Sequence, residues 1–328
     1  MNLKKRFTLG LTLLMENSEF KQILDEFHPY IAEIYFSPPL GTEFQTRTLA
    51  HMDDPASKER ILDILVYASS LGIEADFLLN STGVPGNPRD LHNIYLEYAS
   101  VVPVPRITLL NVFLARTLKD LIPGVRINIS FNADIHSSRQ LEQLSILGVC
   151  DEVVFGRSQM RDFALIREAK ERYGFKTHLL INNGCIPDCI SACRQGGYCD
   201  FFYERLASNG RADINELYAE STIFPEELHC YFDREFIDVF KLSTRDCTYG
   251  YLRSLLSTYI RGKHEGDPQL YGRITAFARY AHLLDLDLIF IHKKKIYERK
   301  GITPAGGTAG DIALRPWMKW KGNFTSFC

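Results

Sequence analysis

Two hydrophobic periods alternate along the chain. Short runs rich in β-branched and other apolar residues recur at Phe7–Leu14, Ile31–Phe36, Glu74–Leu79, Arg106–Leu110, Arg126–Ser130, Glu152–Phe155, Lys176–Ile181 and Ile237–Leu242. Between them lie stretches with apolar residues three and four apart, among them Ser57–Leu71, Leu91–Ser100, Ser138–Leu147 and Met160–Tyr173, the spacing of a helix that buries one face. Strands that each precede a helix pair in parallel, because the helix supplies the crossover. Eight such units predict an α/β fold, a (β/α)8 TIM-type barrel, over residues 1–250. A doubly wound open sheet is the rival architecture. It calls for a glycine-rich phosphate turn after the first strand, and Gly10 stands there alone. Residues 251–328 open with helical segments and end in a glycine-rich stretch from Gly301 to Gly310 followed by Trp317 and Trp320. They predict a C-terminal extension packed on the barrel.

Composition narrows the class without naming a function. A chain of 328 residues can bury one large core, and 45% hydrophobic with 24% charged residues is ordinary for a soluble globular protein. The net charge of −2 provides no basic field, which disfavours extended contact with nucleic acid and leaves a small molecule as the expected substrate. No apolar stretch reaches membrane-spanning length. The apolar start is broken by Thr8, Gly10 and Thr12 and reaches Glu16 without a small-residue cleavage site, so it reads as a first strand rather than a signal peptide. The expected location is the cytoplasm, where eight cysteines argue for metal ligation over disulfides. The basic run His292 to Lys295 reads as a solvated strand or helix end.

Four of the cysteines, Cys185, Cys189, Cys193 and Cys199, fall within fifteen residues. Four thiolates so close suit zinc or an iron–sulfur cluster. Zinc ribbons pair tight Cys-x2-Cys units across a long spacer. Here all four lie in one irregular stretch in which Gly196 and Gly197 free the backbone, which favours the cluster. Cys230, beside His229, is an alternative ligand to Cys193 or Cys199, while Cys150 reads as a small buried apolar residue. The cysteine run follows the seventh strand directly, and barrels carry their chemistry at the strand C-terminal ends. Other strand ends deliver Glu16, Asn17, Ser37, Asn80, Ser81, Asn111, Asn132, Asp134, Arg161 and Asn182 to the same rim. At the eighth, Lys241, Ser243 and Arg245 alternate and so project to one side. Two cations there suit a carboxylate or phosphate, or pair with barrel carboxylates. His178, inside a strand, reads as a hydrogen-bonded core histidine.

Several stretches occur in the order found in a known family: Leu-Leu-Asn-Ser after the third strand, Leu-Gly-Val-Cys-Asp-Glu-Val-Val leading to Met160-Arg161-Asp162, Ile-Asn-Asn-Gly-Cys-Ile-Pro-Asp-Cys, Ile-Phe-Pro-Glu-Glu-Leu, and Ile-Asp-Val-Phe-Lys-Leu-Ser-Thr-Arg. Over about residues 70–260 the chain resembles the collagenase-like peptidase family U32 and its iron–sulfur relatives. Despite the family's name, the resemblance implies a [4Fe-4S] cluster with Cys185 and Cys189 as its best-supported ligands, completed by Cys193 and by Cys199 or Cys230. It also implies redox chemistry of the oxygen-independent hydroxylation type, known on ubiquinone precursors and RNA bases with prephenate implicated as oxygen donor. Lys241 and Arg245 match the family's basic strand end. Ser243-Thr244 departs from the usual Glu-Gly or Ser-Gly before the arginine.

Three functions follow as expectations. The first is a redox enzyme whose substrate is held by Arg161, Lys241 and Arg245 together with Asn80, Asn132, Asn182 and Ser243. The second is a hydrolase with metal-bound water and Glu16 or Asp134 as base. The third is a non-catalytic iron–sulfur subunit that works with a partner barrel.

Overall fold

The computed structural model describes residues 6–38, 55–80, 88–182, 202, 205, 214–232, 235–244, 247–263 and 284–300. Its strands are β1 (Phe7–Gly10), β2 (Ile31–Phe36), β3 (Glu74–Leu79), β4 (Arg106–Leu109), β5 (Arg126–Ile129), β6 (Glu152–Phe155), β7 (Lys176–Leu180) and β8 (Val239–Lys241). Each pairs in parallel with its sequence neighbours, and β8 closes on β1 with Phe7 opposite Phe240 and Thr8 opposite Lys241. The fold is therefore a closed (β/α)8 barrel. The helices are α1 (Asn17–Phe27), α2 (Pro55–Ser70), α3 (Pro88–Ala99), α4 (Val112–Leu121), α5 (Ser138–Leu147), α6 (Phe163–Glu171), α7 (Ile214–Ser221), α8 (His229–Phe232), α9 (Tyr249–Arg261) and α10 (Leu286–Arg299). Among the described residues no helix is long and apolar enough to cross a membrane.

The two faces of each strand divide the work. Leu9, Ile34, Phe36, Phe77, Leu79, Ile107, Leu109, Ile127, Ile129, Val153, Phe155, Leu179 and Phe240 are buried in the apolar core with the helices. The alternate positions point into the barrel and carry Thr8, Glu33, Asp76, Arg106, Thr108, Asn128, Glu152, His178 and Lys241, all buried. A barrel centre is usually filled with branched apolar side chains. This one is largely polar, and that is the fold's main departure from a plain scaffold.

Local chemistry sets the element ends. β1 stops at Gly10, short of the expected Leu14, where the Thr12 hydroxyl accepts from Leu14 N–H at 3.2 Å and curls the chain out of the sheet. The expected helix Met160–Tyr173 divides into a 3-10 turn, Arg157–Arg161, and α6, with Asp162 between them capping α6 through Leu165 N–H at 3.1 Å. In α5 the cap is Ser137, and Gly148 ends the helix at φ +62, a left-handed position that favours glycine. Asn111 accepts from Phe113 N–H at 3.0 Å, so this strand-end polar residue caps α4. The eighth barrel helix, α9, crosses the boundary expected at residue 250 and runs to Arg261. Beyond it, α10 lies against α7.

Candidate active site at the mouth of the barrel

The lower barrel is sealed by charge. Arg106 reaches Glu33 and Glu152 at 2.8 Å each and Glu74 at 3.1 Å, Lys176 reaches Glu33 at 2.6 Å, and His178 Nε2 lies 2.6 Å from Glu152. Burial alone would push Glu33 up, but His178, Arg106 and Lys176 together hold it down to about 2. Glu152 is held well below the usual carboxylate range by His178, Arg106 and Lys176 against the same opposing burial. Ligand atoms of Glu33, Glu152 and His178 converge within 4.8 Å, a donor set of the metal-binding type. Arg106 and Lys176 already supply the positive charge there, so this cluster is an ion-paired plug. His178 is the hydrogen-bonded core histidine its place in a strand suggests.

Above the plug lies a second polar layer. The Thr108 hydroxyl donates to Asp76 Oδ2 at 2.7 Å, and Asn128 Nδ2 donates to Thr108 Oγ1 at 3.0 Å. Lys241 Nζ lies 3.7 Å from Asp76 and 4.0 Å from the centre of the Tyr35 ring, whose hydroxyl donates to the Leu242 carbonyl at 2.9 Å. The cation expected to grip an anion thus already faces a carboxylate.

The rim over β7, β8 and β1 is held by side chains bonded to backbone. Asn182 accepts from Ser243 N–H at 2.6 Å and donates to the Ser243 carbonyl at 3.2 Å. Thr244 accepts from Gly10 N–H at 2.7 Å and donates to the Gly10 carbonyl at 2.9 Å, so the residue that departs from the family pattern closes the seam. Asn182 and Ser243 are brought together, as positioning groups. Asn80 follows β3 directly and Asn132 sits in the 3-10 turn after β5, both buried to 8% exposure.

Arg161 is the correction. Expected on the substrate-facing rim, it is instead fully buried, donating to the Glu220 carbonyl at 2.9 Å, the Thr222 carbonyl at 2.7 Å and Glu227 at 2.8 Å. Lys293 joins the same carboxylate at 2.6 Å, as does the Tyr297 hydroxyl at 2.6 Å. The expectation of a solvated basic run fails for Lys293, which is 2% exposed. Its missing partner in sequence was Glu227, 66 residues away.

Cys185, Cys189, Cys193, Cys199, Ser81 and Arg245 lie outside the described residues. Of the other cysteines, Cys230 is buried in the apolar core, whereas Cys150 is half-buried, its thiol donating to the Glu152 carbonyl at 3.2 Å and pushed up by burial. Glu16 stands at the N-terminus of α1, its N–H donating to Glu19 at 2.9 Å.

Sequence reasoning missed the plug and the Asp76–Thr108–Asn128 chain. A signal was present, since Glu33, Asp76, Asn128 and Glu152 are polar residues inside otherwise apolar strands, at positions whose neighbours are outward and apolar.

No protein-family model matches the chain. It is similar to an uncharacterized protease of Methanocaldococcus jannaschii, 20% identical over 277 residues, covering 78% of this chain and 79% of that protein. Among solved structures it is similar to the U32 peptidase Mk0906, with a TM-score of 0.49 and 14% identity over 76% of this chain and 96% of that one. A tryptophan synthase α-subunit from Pyrococcus furiosus has a TM-score of 0.40 and 11% identity over 92% of this chain and 100% of that one. These structural likenesses are too distant to carry an argument about chemistry.

Proposed function

We propose that this chain, which is similar to an uncharacterized protease of Methanocaldococcus jannaschii, is an iron–sulfur enzyme of the U32 peptidase type acting on a small substrate at the C-terminal mouth of the barrel. The observation that carries this reading is a coincidence of sequence and topology. The four-cysteine run opens three residues after Asn182, at the end of β7 from which barrel enzymes work. The donor set fits the group, because four thiolates are the ligation that a [4Fe-4S] cluster takes, with Cys185, Cys189, Cys193 and Cys199 as the ligands. When bound, a cluster held by four thiolates would supply electron transfer.

The chain's own residues do the rest. Asn182 ties the end of β7 to Ser243, just after β8. Lys241, locked between Asp76 and Tyr35, is a preorganised charge on a strand, and Arg245 is the second cation for the anionic part of the substrate. Oxygen-independent hydroxylation is the reaction type we favour, and the expected cellular setting is the cytoplasm. A partner barrel subunit would be compatible with the same site.

The test is metal content across cysteine variants prepared without oxygen. Cys185→Ala and Cys189→Ala should lose most bound iron, while Cys150→Ala should keep it. Equal iron in all three would overturn the assignment. A hydrolytic reading rests on the word protease in the archaeal relative's name. It would gain if the chain carried zinc and cleaved peptides in air.

A further inference from the structure

The chain leaves the barrel at the end of β7 and comes back to it at Ile223, whose N–H donates to the Ile181 carbonyl at 2.9 Å. All four cysteines of the run, and α7, belong to the excursion between those two residues. Its leaving end is held by Asn182 on Ser243. Its returning end is held by two cations from elsewhere in the chain. Arg161 takes the Glu220 and Thr222 carbonyls, and Lys293 takes the Thr222 carbonyl at 2.7 Å and the Ala219 carbonyl at 3.2 Å, so positive charge caps the C-terminal end of α7, the end it favours. Glu227 joins both cations and accepts from Phe224 N–H at 2.6 Å, one residue past the return point. At the other end of α7, Asn215 Oδ1 accepts from the N–H of Asp285, the cap of α10, at 2.7 Å.

Arg161, Lys293 and Glu227 are each no more than 3% exposed. Three buried charges add little net stability, since apolar side chains of the same volume would hold two helices as well; such a network instead permits a single arrangement. Lys293 carries this argument. Its ammonium has three donors, and the Ala219 carbonyl, the Thr222 carbonyl and Glu227 take one each. A slid or rotated α10 would leave one of them buried and unmet.

We propose that Arg161, Lys293 and Glu227 are positioning residues for the cysteine run: they fix where the excursion re-enters the barrel, and they make its affinity for metal depend on α10. The proposal rests on the reading of the run as a metal site, and it adds what preorganises that site. A metal that needs the held arrangement binds with an affinity scaled by the fraction of time it is populated, so a return end held a tenth of the time weakens binding about tenfold.

Cobalt(II) titration of the metal-free full chain without oxygen, followed by thiolate-to-cobalt charge-transfer absorption, tests the proposal. Lys293→Met should bind cobalt about tenfold more weakly than the wild type. Leu118→Ala, which opens a cavity in the core under α4, lowers the melting temperature without touching this network and should bind cobalt as the wild type does. If Lys293→Met does not fold, Tyr297→Phe, which removes one hydrogen bond from Glu227, takes its place with the same order of affinities. Wild-type affinity in the network variant, or an equal loss in Leu118→Ala, would overturn the proposal. A wild type that binds neither cobalt nor iron contradicts the cluster reading itself, and hydrogen exchange then decides whether the return end is held as described. The amides of α7 should exchange about tenfold faster in the network variant while those of β3 keep their rates, and unchanged exchange in α7 would overturn it.

Discussion

Glu227 offers the sharpest test of how the C-terminal helix is held. Its carboxylate is fully buried and serves Arg161, Lys293, the Tyr297 hydroxyl and Phe224 N–H, all within 2.8 Å. Burial works to raise it, but Lys293 and Arg161 hold it down to about 2. One carboxylate thus balances two cations, and the imbalance falls on Lys293. Burial pushes that lysine down and Arg161 adds to the effect, so that even with Glu227 beside it the group is lowered to about 7. Replacing Glu227 with Gln leaves two buried cations without a counter-charge, a change that costs about 3–5 kcal/mol. At about 2 °C per kcal/mol for a chain of this size, the melting temperature should fall by about 6–10 °C. Lys293→Met removes the surplus charge and leaves Arg161 and Glu227 as a one-to-one pair, so it should cost less, about 2 kcal/mol or under at pH 7. Urea unfolding of the three proteins decides the matter. A Glu227→Gln variant as stable as the wild type, or a Lys293→Met variant damaged as badly, would refute the charge balance described here.

The same cluster gives a pH signature. Lys293 binds its proton less tightly when folded, near 7, than its ordinary 10.5 when unfolded, so the unfolded chain holds the extra proton between those values. Its contribution to stability therefore rises with pH across that window, by up to about 1.4 kcal/mol per unit, and the stability of the wild type relative to Lys293→Met should climb from pH 7 to 9; a flat difference would contradict it. Glu227 gives a slope of the same sign in a lower window, contributing stability that is full above its ordinary 4.5 and is lost as the pH falls towards 2. In the barrel, Arg106→Met strands Glu33 and Glu152 and should cost about 3–5 kcal/mol by urea titration, whereas breaking the exposed Arg116–Asp120 pair should change little. Gly148→Ala forces a side chain into the left-handed region at φ +62 and should cost about 1 kcal/mol, measured the same way.

What could be read from the chain was the periodic part. The alternation of apolar runs located β2, β3 and β6 to the residue, and apolar residues three and four apart located α5 at Ser138–Leu147. Short-range chemistry of this kind is written in adjacent residues. The buried charge was not legible, because its logic is long-range: Arg106 acquires meaning only when Glu33 and Glu152 arrive from strands 73 and 46 positions away. Arg161 was placed on the rim because it follows β6, yet its partners, Glu227 and two carbonyls, come from around α7 and draw the side chain away. Polar strand ends likewise mixed two kinds of residue. Asn111 caps a helix and Asn182 clamps a strand, whereas Asp76 and Asn128, inside the strands, join Thr108 in the buried polar layer of the barrel.

The central claim concerns the four cysteines after β7, and the most direct measurement is an absorption spectrum with iron and sulfide analysis on protein purified without oxygen. The account predicts a brown protein with broad absorption and about four irons and four sulfides per chain, as a cubane cluster requires. A colourless protein that holds zinc, or no metal with all four thiols titratable, would contradict it.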